Sequence, residues 1–273
     1  MTRRTNARWA ALNAVGLGTA LVCNGLANAL PLNGMDTGAL SDLYPNLFVP
    51  VGLTFSIWGV IYLWLMVLVG YGFTQARVER TRNPLSLIGP WFLVNTLANA
   101  AWIFAWHWTM VGLSLLLMGV ILASLIAMYR RLGVGEQPAS ASDRWLVHAP
   151  ISIYMGWITV ATIANVTTLA VDLGAPAFGG VPAVLTVGVM VTAVLVAARM
   201  LWARQDVLYA AVVLWALFGI YLKRSGAAED GSDLVAGAAL VGLAVLGAGA
   251  VVTTARRLRR GSVSRPRAVE ASA

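Results

Sequence analysis

The chain has 273 residues, of which 59% are hydrophobic and only 11% are charged, and its mean hydropathy is +0.77. Soluble domains carry about 25% charged residues, so this composition excludes an ordinary soluble protein and indicates a chain embedded in lipid. The single cysteine, Cys23, excludes an internal disulfide and a cysteine zinc site.

Apolar runs long enough to cross a bilayer, which takes about 20 residues, occur eight times along the chain. Because backbone groups in lipid must be hydrogen-bonded within the segment, these runs predict helices, and the predicted fold class is an all-α integral membrane protein. The third, fourth and seventh runs are short, so their ends are defined only to within several residues. The predicted spans are Trp9–Leu30, Pro50–Phe73, Ile88–Trp106, Gly112–Met128, Trp145–Val171, Val181–Leu201, Val207–Leu222 and Leu234–Thr253.

The basic residues indicate an orientation. With eight spans, both termini and the second, fourth and sixth loops share one face, which then carries 17 of the 19 Lys and Arg residues and leaves Lys223 and Arg224 opposite. This positive-inside pattern predicts cytoplasmic N- and C-termini in a cell inner membrane. The net charge of +8 therefore reflects the orientation of the chain in the membrane. We expect the lipid bilayer as a partner and no nucleic acid.

The first span has an alternative interpretation. Three arginines precede its apolar stretch, which ends in the small-residue sequence Ala27-Asn28-Ala29, as in a secretory signal peptide. Against this, Asn13 and Asn24 interrupt the stretch, which is also long for a signal peptide. Cleavage would leave seven spans with the remaining topology unchanged.

Ionisable residues are rare inside the predicted spans. Apart from Arg199, near the predicted cytoplasmic end of its span, the spans contain no Asp, Glu, Lys or Arg. Ion-coupled transporters keep such residues at membrane depth despite a cost of about 2.5–3.5 kcal/mol each, so ion coupling is not expected. His107 and His148 are predicted at opposite faces and cannot ligate one metal. We therefore predict no catalytic residues and no metal site.

The polar side chains inside the spans are amides, hydroxyls and indoles. On the third span Asn95, Asn99 and Trp102 share one helical face, and Trp157, Ala161 and Asn165 repeat this spacing on the fifth. Such a set predicts a cavity for a flat, largely apolar ligand, although a single asparagine also commonly bonds helices together. The first and second spans add three more residues to the set: Asn24, Trp58 and Tyr62.

Three motifs fall on these helices in a fixed order. They are Pro50, Phe55 and Trp58 four residues before Tyr62 on the second span; Asn99-Ala-Ala-Trp102 followed by Trp106 on the third; and Tyr154-Met-Gly-Trp157 followed by Ala161 and Asn165 on the fifth. Together they resemble the tryptophan-rich sensory protein/translocator protein (TspO/MBR) family. Members of that family are five-helix membrane proteins with a pocket for tetrapyrroles and, in some members, sterols.

The resemblance implies a binding site. The residues implied to line or support the pocket are Trp58, Tyr62, Asn99, Trp102, Trp157, Ala161 and Asn165. The loop from Pro31 to Asn46 would be its lid, with Asp42, Tyr44 and Pro45 replacing the family's tryptophan and lysine-proline pattern. Ile153 replaces the family's usual proline before Tyr154. No cofactor is expected to be required, and a porphyrin- or haem-like molecule is expected only as a bound ligand.

The resemblance also suggests a division of the chain. We predict a TspO-like five-helix core over residues 1–175, three additional transmembrane helices over 176–256 and a basic, disordered cytoplasmic tail over 257–273. The last predicted helix is rich in small residues, including Ala238, Gly242 and Gly247, which suit close packing. The sequence leaves open whether this helix packs on the core or forms a homodimer.

Three functions are consistent with these features. The leading hypothesis is a membrane sensory or binding protein that holds a tetrapyrrole-, sterol- or isoprenoid-like ligand. The second is an ion-independent transporter or facilitator of such a ligand. The third is a porphyrin-modifying enzyme, which the lack of an acid, base or metal arrangement in the sequence disfavours.

Overall fold

A computed structural model of the chain describes residues 3–30, 32–78 and 82–263. Within these ranges, eight helices are long and apolar enough to cross a membrane. The chain is therefore an all-α multi-pass membrane protein, as predicted. The helices are α1 (Arg3–Ala29), α2 (Ile57–Gln75), α3 (Pro84–His107), α4 (Val111–Leu132), α5 (Ala149–Asp172), α6 (Gly180–Arg199), α7 (Val207–Arg224) and α8 (Ser232–Val263).

Short turns of other helix types extend three of the spans. A 3₁₀ turn, Gly52–Ser56, leads into α2. A π-helical turn, Arg144–His148, leads into α5, and a second one, Met200–Arg204, follows α6. These turns account for the differences at the starts of α2 and α5 and at the end of α6, whereas elsewhere the regular helices generally run past the predicted bounds, most of all at the start of α1 and the end of α8.

The helices form one packed bundle. Helix α3 packs between α1 and α4, α4 packs against α5, and α2 contacts both α1 and α5. Helix α7 packs on α5, and α8 covers α7 and α6. On α8, a Cβ atom added to Gly242 would lie 3.0 Å from Leu217 and 3.1 Å from Val194, so this small residue serves packing on α7 and α6.

The end of α8 departs from the prediction of a disordered tail after residue 256. The helix continues to Val263, so residues 257–263 are helical. Arginine and leucine are good helix formers, and the first proline in this part of the sequence is Pro266. The rest of the predicted tail, residues 264–273, lies outside the described residues.

The alternation of eight helices defines two faces of the bundle. The terminal face holds the start of α1, the end of α8 and the α2–α3, α4–α5 and α6–α7 connections. The lid face holds the remaining connections, including the long segment between α1 and the 3₁₀ turn.

Candidate functional site

A structured lid covers part of the lid face. Residues 32–46 contain a short helix, Thr37–Asp42, which we call the lid helix. Asp36 caps its N-terminus, because one carboxylate oxygen accepts hydrogen bonds from the backbone N–H groups of Gly38 and Ala39, each at 2.8 Å. The lid is therefore an ordered element in its own right.

His107 at the end of α3 fastens the lid from one side. Its Nδ1 lies 2.9 Å from the carbonyl oxygen of Leu32, so Nδ1 carries the proton, and Nε2 is free to accept from the Thr37 hydroxyl at 3.3 Å. The Asn33 amide donates to the His107 carbonyl at 2.9 Å, and the Trp106 indole donates to the Thr37 carbonyl at 3.2 Å. His107 thus holds the lid, a role that the sequence did not indicate.

The end of α7 fastens the lid from the other side. Lys223 forms an ion pair with Asp42 of the lid helix, with 3.0 Å between Nζ and Oδ1. The Arg224 side chain, only 3% exposed, donates to the Asn46 carbonyl at 3.0 Å and lies 3.8 Å from Glu229. The two cations that the positive-inside pattern left on this face both contact residues at the end of the lid.

A cavity of about 740 Å³ lies between the lid helix and the ends of α1, α2, α3 and α7. Asp36, Asp42 and Lys223 contribute the charged part of its lining. Its aromatic part comes from Phe55, Trp58, Tyr62 and Trp102, and Asn24 adds an amide. Of the predicted pocket residues, three therefore line this cavity: Trp58, Tyr62 and Trp102.

A smaller cavity of about 40 Å³ adjoins the first, since the two share Phe55, Trp58 and Trp102 among their lining residues. Its lining is almost entirely apolar. Three further predicted residues, Trp157, Ala161 and Asn165, lie in its wall.

Trp58 occupies the centre of an aromatic cluster beside both cavities. Its ring stacks on those of Tyr62 and Trp102, with centroid separations of 5.3 and 6.0 Å. It meets Tyr154 and Trp157 edge-on at 5.9 and 6.3 Å. Both of these are favourable arrangements of aromatic quadrupoles. The cluster therefore gives the cavities a rigid aromatic wall.

Asn99 supports this wall and bonds four helices together. Its Oδ1 accepts from the Asn24 amide at 2.9 Å and from the Tyr62 hydroxyl at 3.2 Å. Its Nδ2 donates to the Tyr154 hydroxyl at 3.1 Å. With its side chain buried and these bonds made, Asn99 positions Tyr62 and Tyr154 between helices α1, α2, α3 and α5.

Asn165 also bonds within the bundle, although it borders the smaller cavity. Its Oδ1 accepts from the Ser114 hydroxyl at 2.7 Å, and its Nδ2 donates to the Ala161 carbonyl at 3.0 Å. The first of these bonds joins α5 to α4.

The three predicted lid residues take different positions. Asp42 lies at the rim of the larger cavity. Tyr44 packs against Trp106, with ring centroids 6.4 Å apart, and Pro45 is exposed. Burial, with a smaller contribution from Asp172, raises the pKa of the Tyr44 hydroxyl above its usual value, so this side chain remains neutral at physiological pH.

Among the described residues, no group of three or more His, Cys, Asp or Glu side chains is placed to hold a metal ion. The polar groups near the cavities are the amides and hydroxyls described above, with ionised groups only at the rim. Such an arrangement is suited to binding a ligand.

Comparison with known proteins bears on this arrangement. A family model described as TSPO-like protein matches residues 10–252, which include the lid, both cavities and the aromatic cluster. This chain belongs to the TSPO-like family. The match continues past residue 171, where the region of the motifs ends, and includes α6, α7 and the part of α8 up to residue 252. No curated protein and no solved structure matches the chain. Membership of the TSPO-like family makes this, in general terms, a membrane protein of the ligand-binding or sensory class.

Three residues beside these cavities were not among the predicted site residues. Lys223 and Thr37 line the larger cavity, and Phe55 packs edge-on against Trp157 at 5.8 Å. The sequence could have indicated Lys223, because it is one of the two basic residues on the face opposite the other 17. Phe55 was visible only as part of a motif, and Thr37 carried no signal.

Proposed function

We propose that this TSPO-like protein holds a flat, hydrophobic ligand of tetrapyrrole, sterol or isoprenoid type beneath the lid helix. The observation that carries the proposal is the cavity of about 740 Å³ with an aromatic wall at Trp58, Tyr62 and Trp102. Ligand sites typically measure about 300–1,000 Å³ and combine apolar walls with a few polar groups. The volume and lining both fit such a ligand.

Unsatisfied donors next to the cavities support this proposal. The indole N–H groups of Trp102 and Trp157 are buried and have no hydrogen-bond partner among the described residues. An unsatisfied buried donor costs about 1–3 kcal/mol, so an acceptor atom on a ligand that reached them would recover this energy. Stacking on the exposed part of the aromatic wall would add about 0.5–1.5 kcal/mol per ring pair.

The packing below the aromatic cluster favours holding a ligand over passing it through the membrane. Leu65 on α2, and Ile121 and Leu125 on α4, are each no more than 1% exposed. These side chains fill the interior of the bundle on the terminal-face side of the cluster. A transporter would have to rearrange this packed layer, whereas a binding or sensory protein would not.

Titration with protoporphyrin IX tests the proposal. Purified full-length protein in detergent is titrated while tryptophan fluorescence is followed, and Trp58→Ala is compared with the unmodified chain. Because Trp58 contacts four other rings of the cluster, we expect its removal to weaken binding at least about tenfold, or about 1.4 kcal/mol.

Trp64→Ala is the matched control. Trp64 lies on the same helix but stacks against Trp145 near the terminal face, away from both cavities. The Trp64→Ala variant should bind protoporphyrin with the same affinity as the unmodified chain. Equal affinity in Trp58→Ala and the unmodified chain would contradict the assignment of the cavity. Competition by a sterol or an isoprenoid alcohol then ranks the three ligand classes.

A further inference from the structure

A second large cavity lies on the opposite face of the protein. It measures about 860 Å³ and is lined by the α4–α5 and α6–α7 connections, the starts of α5 and α7, and the end of α8. We call it the terminal-face cleft. Nothing in the proposed lid-face function uses it.

The backbone around this cleft is unusual. Both π-helical turns, Arg144–His148 and Met200–Arg204, contribute to its wall. Such turns are rare and are frequently found at functional sites. Gln205 between them and α7 has a φ of 53°, a left-handed conformation that is uncommon for a residue other than glycine. The cleft is therefore held open by local geometry that carries a conformational cost.

Close contact between the two connections fixes the shape of the cleft. Gly135 has a φ of 76°, and a Cβ atom at this position would overlap the backbone carbonyl of Arg204. Only glycine fits here. Arg204 also pairs with Glu136 and donates to the Val134 carbonyl at 3.4 Å. The two connections thus form one continuous wall.

The cleft contains two acidic side chains, Glu136 and Asp206. Glu136 is paired with Arg204, as above. Asp206 accepts a hydrogen bond from the Tyr129 hydroxyl at 2.8 Å and another from the Tyr209 backbone N–H at 3.1 Å. Asp206 keeps its negative charge because both of these donors are neutral, so the cleft holds two carboxylates against three arginines, Arg144, Arg204 and Arg257.

Two of these arginines form no ion pair. The Arg144 side chain has neither an ion pair nor a hydrogen bond within the described residues. Arg257 donates only to the neutral Gln205 side chain, at 3.3 Å. The half-buried imidazole of His148 also lines the cleft and, among the described residues, has no hydrogen-bond partner. The cleft therefore offers two guanidinium groups and an imidazole to an anion.

Exposed tryptophans place the cleft at the edge of the membrane. Trp145 in its wall is 59% exposed and stacks in parallel on Trp64 at 6.5 Å. Trp202, 81% exposed, lies on the neighbouring π-helical turn with the Arg256 guanidinium 6.0 Å from its ring centroid. Tryptophans in such positions mark the level of the lipid headgroups. A phospholipid in that leaflet can therefore reach the cleft with its headgroup.

We propose that the terminal-face cleft binds the phosphate of an anionic phospholipid. Guanidinium groups recognise phosphate through charge-assisted, paired hydrogen bonds, and basic pockets between transmembrane helices are suited to anionic headgroups. Trp145 and Leu208 supply apolar surface beside the cleft for the adjoining acyl chains.

Native mass spectrometry of the delipidated full-length protein tests this proposal. The protein is offered equimolar phosphatidylglycerol and phosphatidylcholine, and the ratio of bound lipids is measured. The unmodified chain should retain phosphatidylglycerol in preference. In the double variant Arg144→Gln/Arg257→Gln this preference should fall about 30-fold, as expected for the loss of two basic groups at a lipid surface.

The double variant Arg130→Gln/Arg256→Gln is the matched control, because it loses the same charge at the same face. Arg130 is exposed at the end of α4, and Arg256 lies over Trp202. The Arg130→Gln/Arg256→Gln variant should keep the preference for phosphatidylglycerol over phosphatidylcholine. Ala141→Trp, at an exposed position in the cleft lining, obstructs the cleft without changing its charge and should abolish the preference in a folded protein.

Three outcomes would overturn the proposal: no preference in the unmodified chain, equal loss in the two double variants, or an unchanged preference in Ala141→Trp. Binding of inorganic phosphate that is lost in Arg144→Gln/Arg257→Gln, in a protein that shows no preference for phosphatidylglycerol, would assign the cleft to a water-soluble phosphate compound and so reject the lipid. Protoporphyrin binding should be unaffected in Arg144→Gln/Arg257→Gln, which separates this test from that of the lid-face cavity.

Discussion

At the scale of single residues, two buried asparagines differ in their hydrogen bonding. Asn99 makes three side-chain hydrogen bonds to residues on α1, α2 and α5. Asn13 on α1 is equally buried, at 1% exposed, but neither its Oδ1 nor its Nδ2 has a partner among the described residues. Sequence alone did not separate them, because the partners of Asn99 lie 37 to 75 residues away in the chain.

Asn99→Leu should destabilise the bundle. The substitution removes three hydrogen bonds and leaves the buried Tyr154 hydroxyl without its Asn99 partner. Side-chain hydrogen bonds between membrane helices contribute about 0.6–1.7 kcal/mol each, so the expected loss is about 2–5 kcal/mol. A lower midpoint of thermal unfolding, measured in detergent by circular dichroism, checks this.

Asn13→Leu is the control for this prediction. It makes the same change of side chain at a site without hydrogen bonds, and it relieves two unsatisfied buried groups that cost about 1–3 kcal/mol each. Its unfolding midpoint should rise. If both variants unfold at the same lowered temperature, the effect at Asn99 reflects side-chain shape and not hydrogen bonding.

At the scale of elements, α7 completes the lid-face site. Its Gly219 carbonyl accepts from the Val51 backbone N–H at 3.2 Å, and its Trp215 indole donates to the Thr54 carbonyl at 3.0 Å. Both contacts hold the 3₁₀ turn that carries Phe55 and leads to Trp58. Together with the bonds from Lys223 and Arg224 to the lid, they make this additional helix part of the pocket's support.

Gly219→Ala should disturb the pocket without touching it. A Cβ atom here would overlap the Thr54 hydroxyl oxygen and lie 3.0 Å from the Pro50 Cβ, so the 3₁₀ turn must shift. Overpacking of this kind costs about 1–3 kcal/mol. We expect a lower unfolding midpoint and severalfold weaker protoporphyrin binding, measured by fluorescence titration.

Gly188→Ala on α6 provides the comparison. A Cβ atom there meets nothing within 4 Å, and alanine is favoured over glycine in a helix by about 1 kcal/mol. This variant should bind normally and be no less stable. Normal binding by Gly219→Ala as well would show that α7 does not support the pocket.

The elements also show what the sequence could and could not predict. Hydropathy located all eight spans because an apolar segment of about 20 residues is required wherever a helix crosses lipid. The motif residues Trp58, Trp102 and Trp157 lie in one aromatic cluster, and their role as a binding site stays a prediction. The π-helical turns and the fastening of the lid by His107 were not predictable, because they arise from contacts between distant connections that leave no periodic pattern in the sequence.

At the scale of the whole molecule, the two large cavities lie at opposite ends of one packed bundle. The lid-face cavity combines aromatic rings with a rim of two carboxylates and one lysine, whereas the terminal-face cleft has two carboxylates and three arginines. This difference follows the charge asymmetry of the sequence, in which 17 of 19 basic residues belong to the terminal face. The same asymmetry predicts that the lid-face cavity opens away from the cytoplasm.

Cysteine labelling in spheroplasts tests this orientation. In a Cys23→Ala background, which removes the chain's single cysteine, Ser225→Cys places a thiol on the lid face and Ser142→Cys places one on the terminal face; both positions are exposed. A membrane-impermeant maleimide should label Ser225→Cys in sealed spheroplasts and Ser142→Cys only after the membrane is permeabilised. The reverse pattern would turn the lid-face cavity toward the cytoplasm, and the proposed ligand would then have to be supplied from inside the cell. Labelling of both variants in sealed spheroplasts would contradict the parallel arrangement of α5 and α7, because both helices run from the terminal face to the lid face, Ser142 precedes α5 and Ser225 follows α7.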